Sequence, residues 1–101
     1  MNTINSNEII EKIKNNESFI VKFYATWRGP CKALSEEFKK IDTKVPVYEF
    51  DVESDVEFSK NMGVRSVPVL KFFKEGKNTQ TKVGLISGNE ISLMTEEYII
   101  K

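Results

Sequence analysis

The chain has 101 residues, 40% hydrophobic and 30% charged, which fits one folded domain over residues 1–101 and excludes a disordered chain. Lys+Arg and Asp+Glu number 15 each, so the net basic footprint expected for nucleic acid or an anionic membrane surface is missing, and no apolar run reaches the roughly 18 residues needed to span a bilayer. One cysteine, Cys31, and no histidine exclude an intrachain disulfide, a Cys/His zinc site and any Ser-His or Cys-His catalytic pair.

The first seven residues, 1–7, have neither a basic start nor an apolar stretch, so no signal peptide is expected and the cytoplasm is the expected compartment. Surface scaling predicts about 5,800 Å² exposed after folding, enough burial for a modest core without staples.

In chain order, a short strand at Thr3-Ile4 comes first. Asn5 and Glu8 then stand at capping-box spacing and open a helix over 7–15, with Ile9, Ile10 and Ile13 as its apolar stripe. Residues 19–25 form a strand that is apolar on both faces apart from Lys22, as for a central strand covered on both sides. Gly29-Pro30 opens a second helix to about Ile41, with proline in the first turn where its missing N–H costs nothing. Cys31, Leu34, Phe38 and Ile41 share its packed face.

Residues 45–52 are the next strand and 56–61 a short helix. Residues 67–74 are a long strand, turned at Glu75-Gly76 into a return strand over 79–83. Ser87 and Glu90 are a second capping box, for a last helix that points Ile91, Met94 and Tyr98 inward. Alternating strands and helices closed by a hairpin predict an α/β fold: a central mixed sheet of about five strands flanked by about four helices.

The chemistry concentrates at Trp27-Arg28-Gly29-Pro30-Cys31-Lys32, a strand-to-helix junction where a helix N-terminus favours a thiolate. Spacing alone equally allows Cys31 to be an inert core cysteine, because cysteine is among the most buried residue types. The segment Phe23-Tyr24-Ala25-Thr26-Trp27-x-Gly29-Pro30-Cys31-Lys32 resembles the thioredoxin active-site segment, F-Y-A-T-W-C-G-P-C-K. Three further segments resemble that family in the same order. They are Gly63-Val64-Arg65-Ser66-Val67-Pro68, where the family has a cis-proline facing the site, the hairpin Phe72 to Lys77, and Val83-Gly84 before the last helix.

The resemblance implies a thioredoxin fold and thiol–disulfide oxidoreductase activity, meaning general protein disulfide reduction in cell redox homeostasis, with no cofactor and no metal. It also implies a peptide groove rimmed by Trp27, Gly29, Pro30, Val67, Pro68 and Gly84. Implied partners are disulfide-bearing or extended-peptide proteins, with a thioredoxin reductase or glutathione as reductant, and neither nucleic acid nor membrane.

Two departures bear on function. Arg28 stands where the family has its nucleophilic cysteine, so only the second, resolving position is kept, as Cys31. Cycling between dithiol and disulfide within the chain is then impossible, leaving single-thiol exchange completed by an external thiol. Arg28 is read either as a solvated loop residue or as a charge acting on something in the groove.

The second departure is Lys22, where the family has a buried aspartate beneath the resolving cysteine, while Glu49 stands where a lysine is common. The swap predicts a Lys22–Glu49 contact behind Cys31, the other reading being that Lys22 snorkels to water. Cys31 is expected to be recessed and slow to alkylate. A redox-inactive binding module that kept the groove is the alternative function, and a Cys31-linked homodimer is disfavoured by that recess. Glu36 and Lys40 are expected to pair on the surface of the second helix, and the acidic stretch from Asp51 to Glu57 is expected to be a solvated loop with helix-start carboxylates.

Overall fold

The computed structural model describes residues 1–27 and 29–101. Five strands form one mixed sheet: β1 (Asn2–Thr3), β2 (Phe19–Tyr24), β3 (Val47–Asp51), β4 (Val69–Lys74) and β5 (Lys77–Val83). Their spatial order is β1-β3-β2-β4-β5. The β1–β3 and β3–β2 pairs are parallel, and the β2–β4 and β4–β5 pairs antiparallel. Four α-helices flank the sheet: α1 (Ser6–Lys14), α2 (Gly29–Phe38), α3 (Val56–Asn61) and α4 (Gly88–Thr95). The exposed surface is 5809 Å², in line with the scaling expectation.

The strand β2 is central, and its two faces build two cores. Phe19, Val21 and Phe23 pack with Ile4, Ile9, Phe50, Val69 and Phe73, under α1 and α3. Ile20 packs with Leu34, Phe38, Leu70, Phe72, Ile86, Ile91 and Ile99, under α2 and α4. The near-continuous apolar run of β2 follows from this double cover. Lys22 falls on the α2 face, opposite Glu49 of β3 and Leu70 of β4. In a strand the side-chain period is two, so a one-residue slip would turn Lys22 into the other core; register therefore dictates the neighbours of this lysine.

Helix starts follow the caps in the sequence. Asn5 Oδ1 accepts from Glu8 N at 2.8 Å, and Glu8 Oε1 accepts from Asn5 N at 2.9 Å. Of the second expected box only one half forms: Ser87 Oγ accepts from Glu90 N at 3.1 Å, while the Glu90 carboxylate lies 3.9 Å from Lys82 Nζ. The stripe of α1 is narrower than expected: Ile9 is buried and Ile13 half-buried, but Ile10 is exposed. Beyond Phe38 the α-helical pattern gives way to bonds from the N–H groups of Lys39, Lys40 and Ile41 to carbonyls three residues back. Tightened last turns of this kind satisfy orphan carbonyls, and the helix ends three residues before the predicted Ile41.

The strand β3 begins after Pro46, whose carbonyl accepts from Ile20 N at 2.9 Å. The strand β4 covers Val69–Lys74, two residues fewer than the expected 67–74, and follows the cis Val67-Pro68 peptide bond. The return strand β5 starts at Lys77, two residues earlier than expected. Glu75 and Gly76 both have positive φ, 51° and 80°, and form a two-residue hairpin turn. A register shift opposite Phe72 and Phe73 leaves Thr79 as the extra residue of β5. After α4 the chain continues as a single π-helical stretch, Glu96–Ile100, which buries Ile99, while Met94 and Tyr98 are half-buried.

Candidate functional site

The strand β2 ends at Tyr24, a turn covers Thr26 and Trp27, and α2 begins at Gly29. The readings made for Arg28 lie outside the described residues. Gly29 and Pro30 are exposed in the first turn of α2. Cys31 follows and is 2% exposed, on the same face as Leu34 and Phe38. The recess expected for this thiol is present.

Behind Cys31 lies a buried polar chain. Lys22 is 2% exposed, and its Nζ is 3.3 Å from Glu49 Oε2. Lys22 Nζ also donates to Ser35 Oγ, and the Ser35 hydroxyl donates to the Cys31 carbonyl at 3.3 Å. The ammonium further lies over the Tyr24 ring, 5.1 Å from its centroid. A lone buried ammonium costs on the order of several kcal/mol, and a carboxylate, a hydroxyl and an aromatic face together offset this. The expected Lys22–Glu49 contact is thus made, and Lys22 does not snorkel to water. Burial pushes the Tyr24 phenol up, and the charges of Glu49 and Asp51 push it the same way. Lys22, Tyr24, Cys31, Ser35 and Glu49 line one cleft of about 250 Å³, together with Ala25, Thr26 and Lys32.

A second cleft, of about 290 Å³, shares Ala25 with the first among the described residues. Trp27, Val52, Glu53 and residues 64–67 line it. Trp27 is 67% exposed, and its indole Nε1 donates to Glu53 Oε1 at 3.1 Å. Pro68 is buried beneath this rim, and its carbonyl accepts from Gly84 N at 2.9 Å. That bond brings Gly84, and with it the exposed Val83 and Leu85, beside the proline. Trp27 with Val67, and Pro68 with Gly84, are therefore brought together, whereas Lys22 and Glu49 line the cleft that holds Cys31.

The sequence reading missed three residues. Ser35 stands four positions after Cys31, the spacing at which a mid-helix serine bonds back to a carbonyl, and that spacing was a usable signal. Glu53 is 26 residues from Trp27, with nothing local to announce the bond. Glu37 donates nothing but accepts from Gly88 N at 2.9 Å and from Lys40 Nζ at 2.7 Å. The predicted Glu36–Lys40 pair is replaced by Glu36–Lys39 and Glu37–Lys40, because the chain tightens at this end of α2. Within the acidic stretch, Asp51 caps a 3-10 turn (Val52–Ser54) and Asp55 caps α3, its Oδ2 also accepting from Ser6 Oγ at 2.8 Å.

A sheet of this order, with a cysteine in the first turn of the helix after the central strand and a cis-proline before the antiparallel strand, defines the thioredoxin-type class of α/β protein. Among solved structures, a mutant thioredoxin from Halobacterium salinarum NRC-1 superposes with a TM-score of 0.85 at 27% identity, covering 97% of this chain and 88% of that one. The thioredoxin of Mycoplasmoides gallisepticum is 33% identical over 90 residues, 86% of this chain and 90% of that protein. A probable protein disulfide-isomerase A4 of Caenorhabditis elegans is 42% identical over 67 residues, which are 64% of this chain but 11% of that longer protein. The thioredoxin family model matches residues 1–97. The chain belongs to the thioredoxin family and is by homology a thioredoxin-family oxidoreductase, a family that acts on disulfide-bearing protein substrates. Among the described residues, no helix is long and apolar enough to cross a membrane.

Proposed function

We propose that this protein is a single-domain, cytoplasmic thiol–disulfide oxidoreductase by descent that works with one thiol, its two-thiol turnover being absent or severely reduced. The observation that carries this reading is that Cys31 is the only cysteine of the chain and sits at the resolving position, with Arg28 at the nucleophile position. The Cys31 thiolate attacks the glutathione-side sulfur of a protein–glutathione mixed disulfide, and the protein thiolate leaves. A second glutathione thiolate then attacks the Cys31–glutathione disulfide and releases Cys31, giving oxidised glutathione. The groove bearing Trp27, Val67, Pro68 and Gly84 receives the extended substrate segment. The buried pair Lys22–Glu49 supports the thiol from behind.

The test is reduction of insulin disulfides with dithiothreitol. The parent chain is expected to add little to the background rate, and the Arg28→Cys variant to gain thioredoxin-like turnover. Full turnover by the parent overturns the reading. A folded but inactive Arg28→Cys variant favours a second reading, a redox-inactive module that binds extended peptide. The 2% exposure of Cys31 beside a Trp27 that is 67% exposed is the observation on its side.

A further inference from the structure

We propose that Ser35 is a positioning residue that holds the Lys22 ammonium against the first turn of α2, so that the reactivity of Cys31 depends on a serine that touches no substrate. The inference rests on Cys31 being a reactive thiol, as in the function proposed above. Lys22 has two alternative anchors: Ser35 on α2, to which it donates, and Glu49 on β3, 3.3 Å from its Nζ. The first anchor draws the cation toward the helix that carries Cys31, and the second draws it toward the sheet. The hydroxyl sits between, accepting from Lys22 and donating to the Cys31 carbonyl at 3.3 Å. Lys22 and Cys31 line the same cleft, with Ser35 and Glu49. A cation near a thiol favours its ionised form, and an anion disfavours it.

Among the described residues, the titratable groups lining that cleft besides Cys31 are Lys22 and Tyr24 from β2, Glu49 from β3 and Lys32 from α2 itself. Glu53 and Arg65 line the neighbouring cleft. Burial and the charges of Glu49 and Asp51 push the Tyr24 phenol up, toward its neutral form. Removing the Ser35 hydroxyl leaves Lys22 with Glu49 of β3 and the Tyr24 ring of β2, and the positive charge withdraws from α2.

The experiment is the pH profile of Cys31 alkylation by iodoacetamide, a small neutral reagent, in the full chain. Ser35→Ala is expected to move the profile midpoint to higher pH and to slow alkylation about threefold or more at neutral pH, which a shift of half a pH unit produces. The rate plateau at alkaline pH is expected to stay unchanged. Lys22→Met is expected to shift the midpoint the same way, Glu49→Gln to shift it the opposite way, and Ser35→Thr to restore the parent profile. A role in packing alone would alter the plateau through access and leave the midpoint in place. A reactive thiol whose midpoint is indifferent to Ser35→Ala, in a variant with unchanged urea unfolding, overturns this assignment and leaves the one-thiol reading standing. A parent thiol that stays unalkylated up to about pH 10 overturns both.

Discussion

Glu37 and Lys71 both make stability rise with pH, in different windows. Lys40 donating to its carboxylate, and then Gly88 N, hold Glu37 below its ordinary value of 4.5. Asp55 is held below 3.8 by the Phe58 N–H and the Ser6 hydroxyl. Each carboxylate binds fewer protons folded than unfolded in the acid range, so its contribution is complete above the ordinary value and is lost as pH falls through the lowered one. Lys71 is 7% exposed, its Nζ held by Asn78 Oδ1 at 3.3 Å and Thr81 Oγ1 at 3.1 Å. Burial pushes it below 10.5. The unfolded chain then binds the proton more tightly, so stability rises with pH between the lowered value and 10.5. Urea unfolding across a pH series checks all of this. Glu37→Gln is expected to flatten the loss below pH 4.5, and Lys71→Met to gain about 1 kcal/mol at neutral pH and to abolish the alkaline rise. A Lys71→Met variant less stable than the parent would show that the ammonium's two bonds outweigh its burial.

At the scale of elements, the turn between β4 and β5 is tied to the end of α1. Gly76 N donates to the Glu17 carbonyl at 2.9 Å, and Glu75 N donates to Ser18 Oγ at 3.0 Å. A Cβ on Gly76 would stand 2.4 Å from the Ile13 carbonyl oxygen, at a φ of +80° that side chains avoid. Both effects act on the folded state, so Gly76→Ala is expected to destabilise by about 2–3 kcal/mol in thermal or urea unfolding. A change under about 0.5 kcal/mol would mean the turn can back away from α1 at little cost. Helices α2 and α4 meet through another close approach, where a Cβ on Gly88 would come within 2.9 Å of the Glu37 carbonyl oxygen. The helices themselves were readable because their caps are local: Asn5 with Glu8, and Ser87 with Glu90, lie three residues apart. Their ends were less so, since the tightening after Phe38 and the π-helical continuation from Glu96 depend on what each turn packs against.

For the molecule as a whole, the fold sets two clefts that meet at Ala25, one lined by Cys31 and one by Trp27 and Val67. Trp27 is the only tryptophan and is well exposed, so its fluorescence reports on the second cleft alone. The two functional readings differ in whether occupancy of that cleft needs the thiol. Titration with reduced, alkylated insulin B chain is expected to change Trp27 emission equally in the parent and in Cys31→Ser, because the groove is built from other residues. A response lost in the serine variant would tie peptide binding to the sulfur and count against the binding-module reading.

By itself the sequence determined the element order, the two-sided burial of β2, the recess of Cys31 and the presence of a single thiol. Each follows from periodicity, from caps a few residues apart or from the count of one residue type. It also paired Lys22 with Glu49, through the family resemblance and not through any local pattern. Only the tertiary structure decided that Ser35 joins this pair to Cys31, that Glu53 holds Trp27, and that Glu37 bonds to Gly88 and Lys40 while Glu36 turns to Lys39. The bonds from Lys22 to Ser35, from Trp27 to Glu53 and from Gly88 N to Glu37 join residues 13 to 51 positions apart. Sheet register and helix placement select such partners, and a linear pattern carries neither.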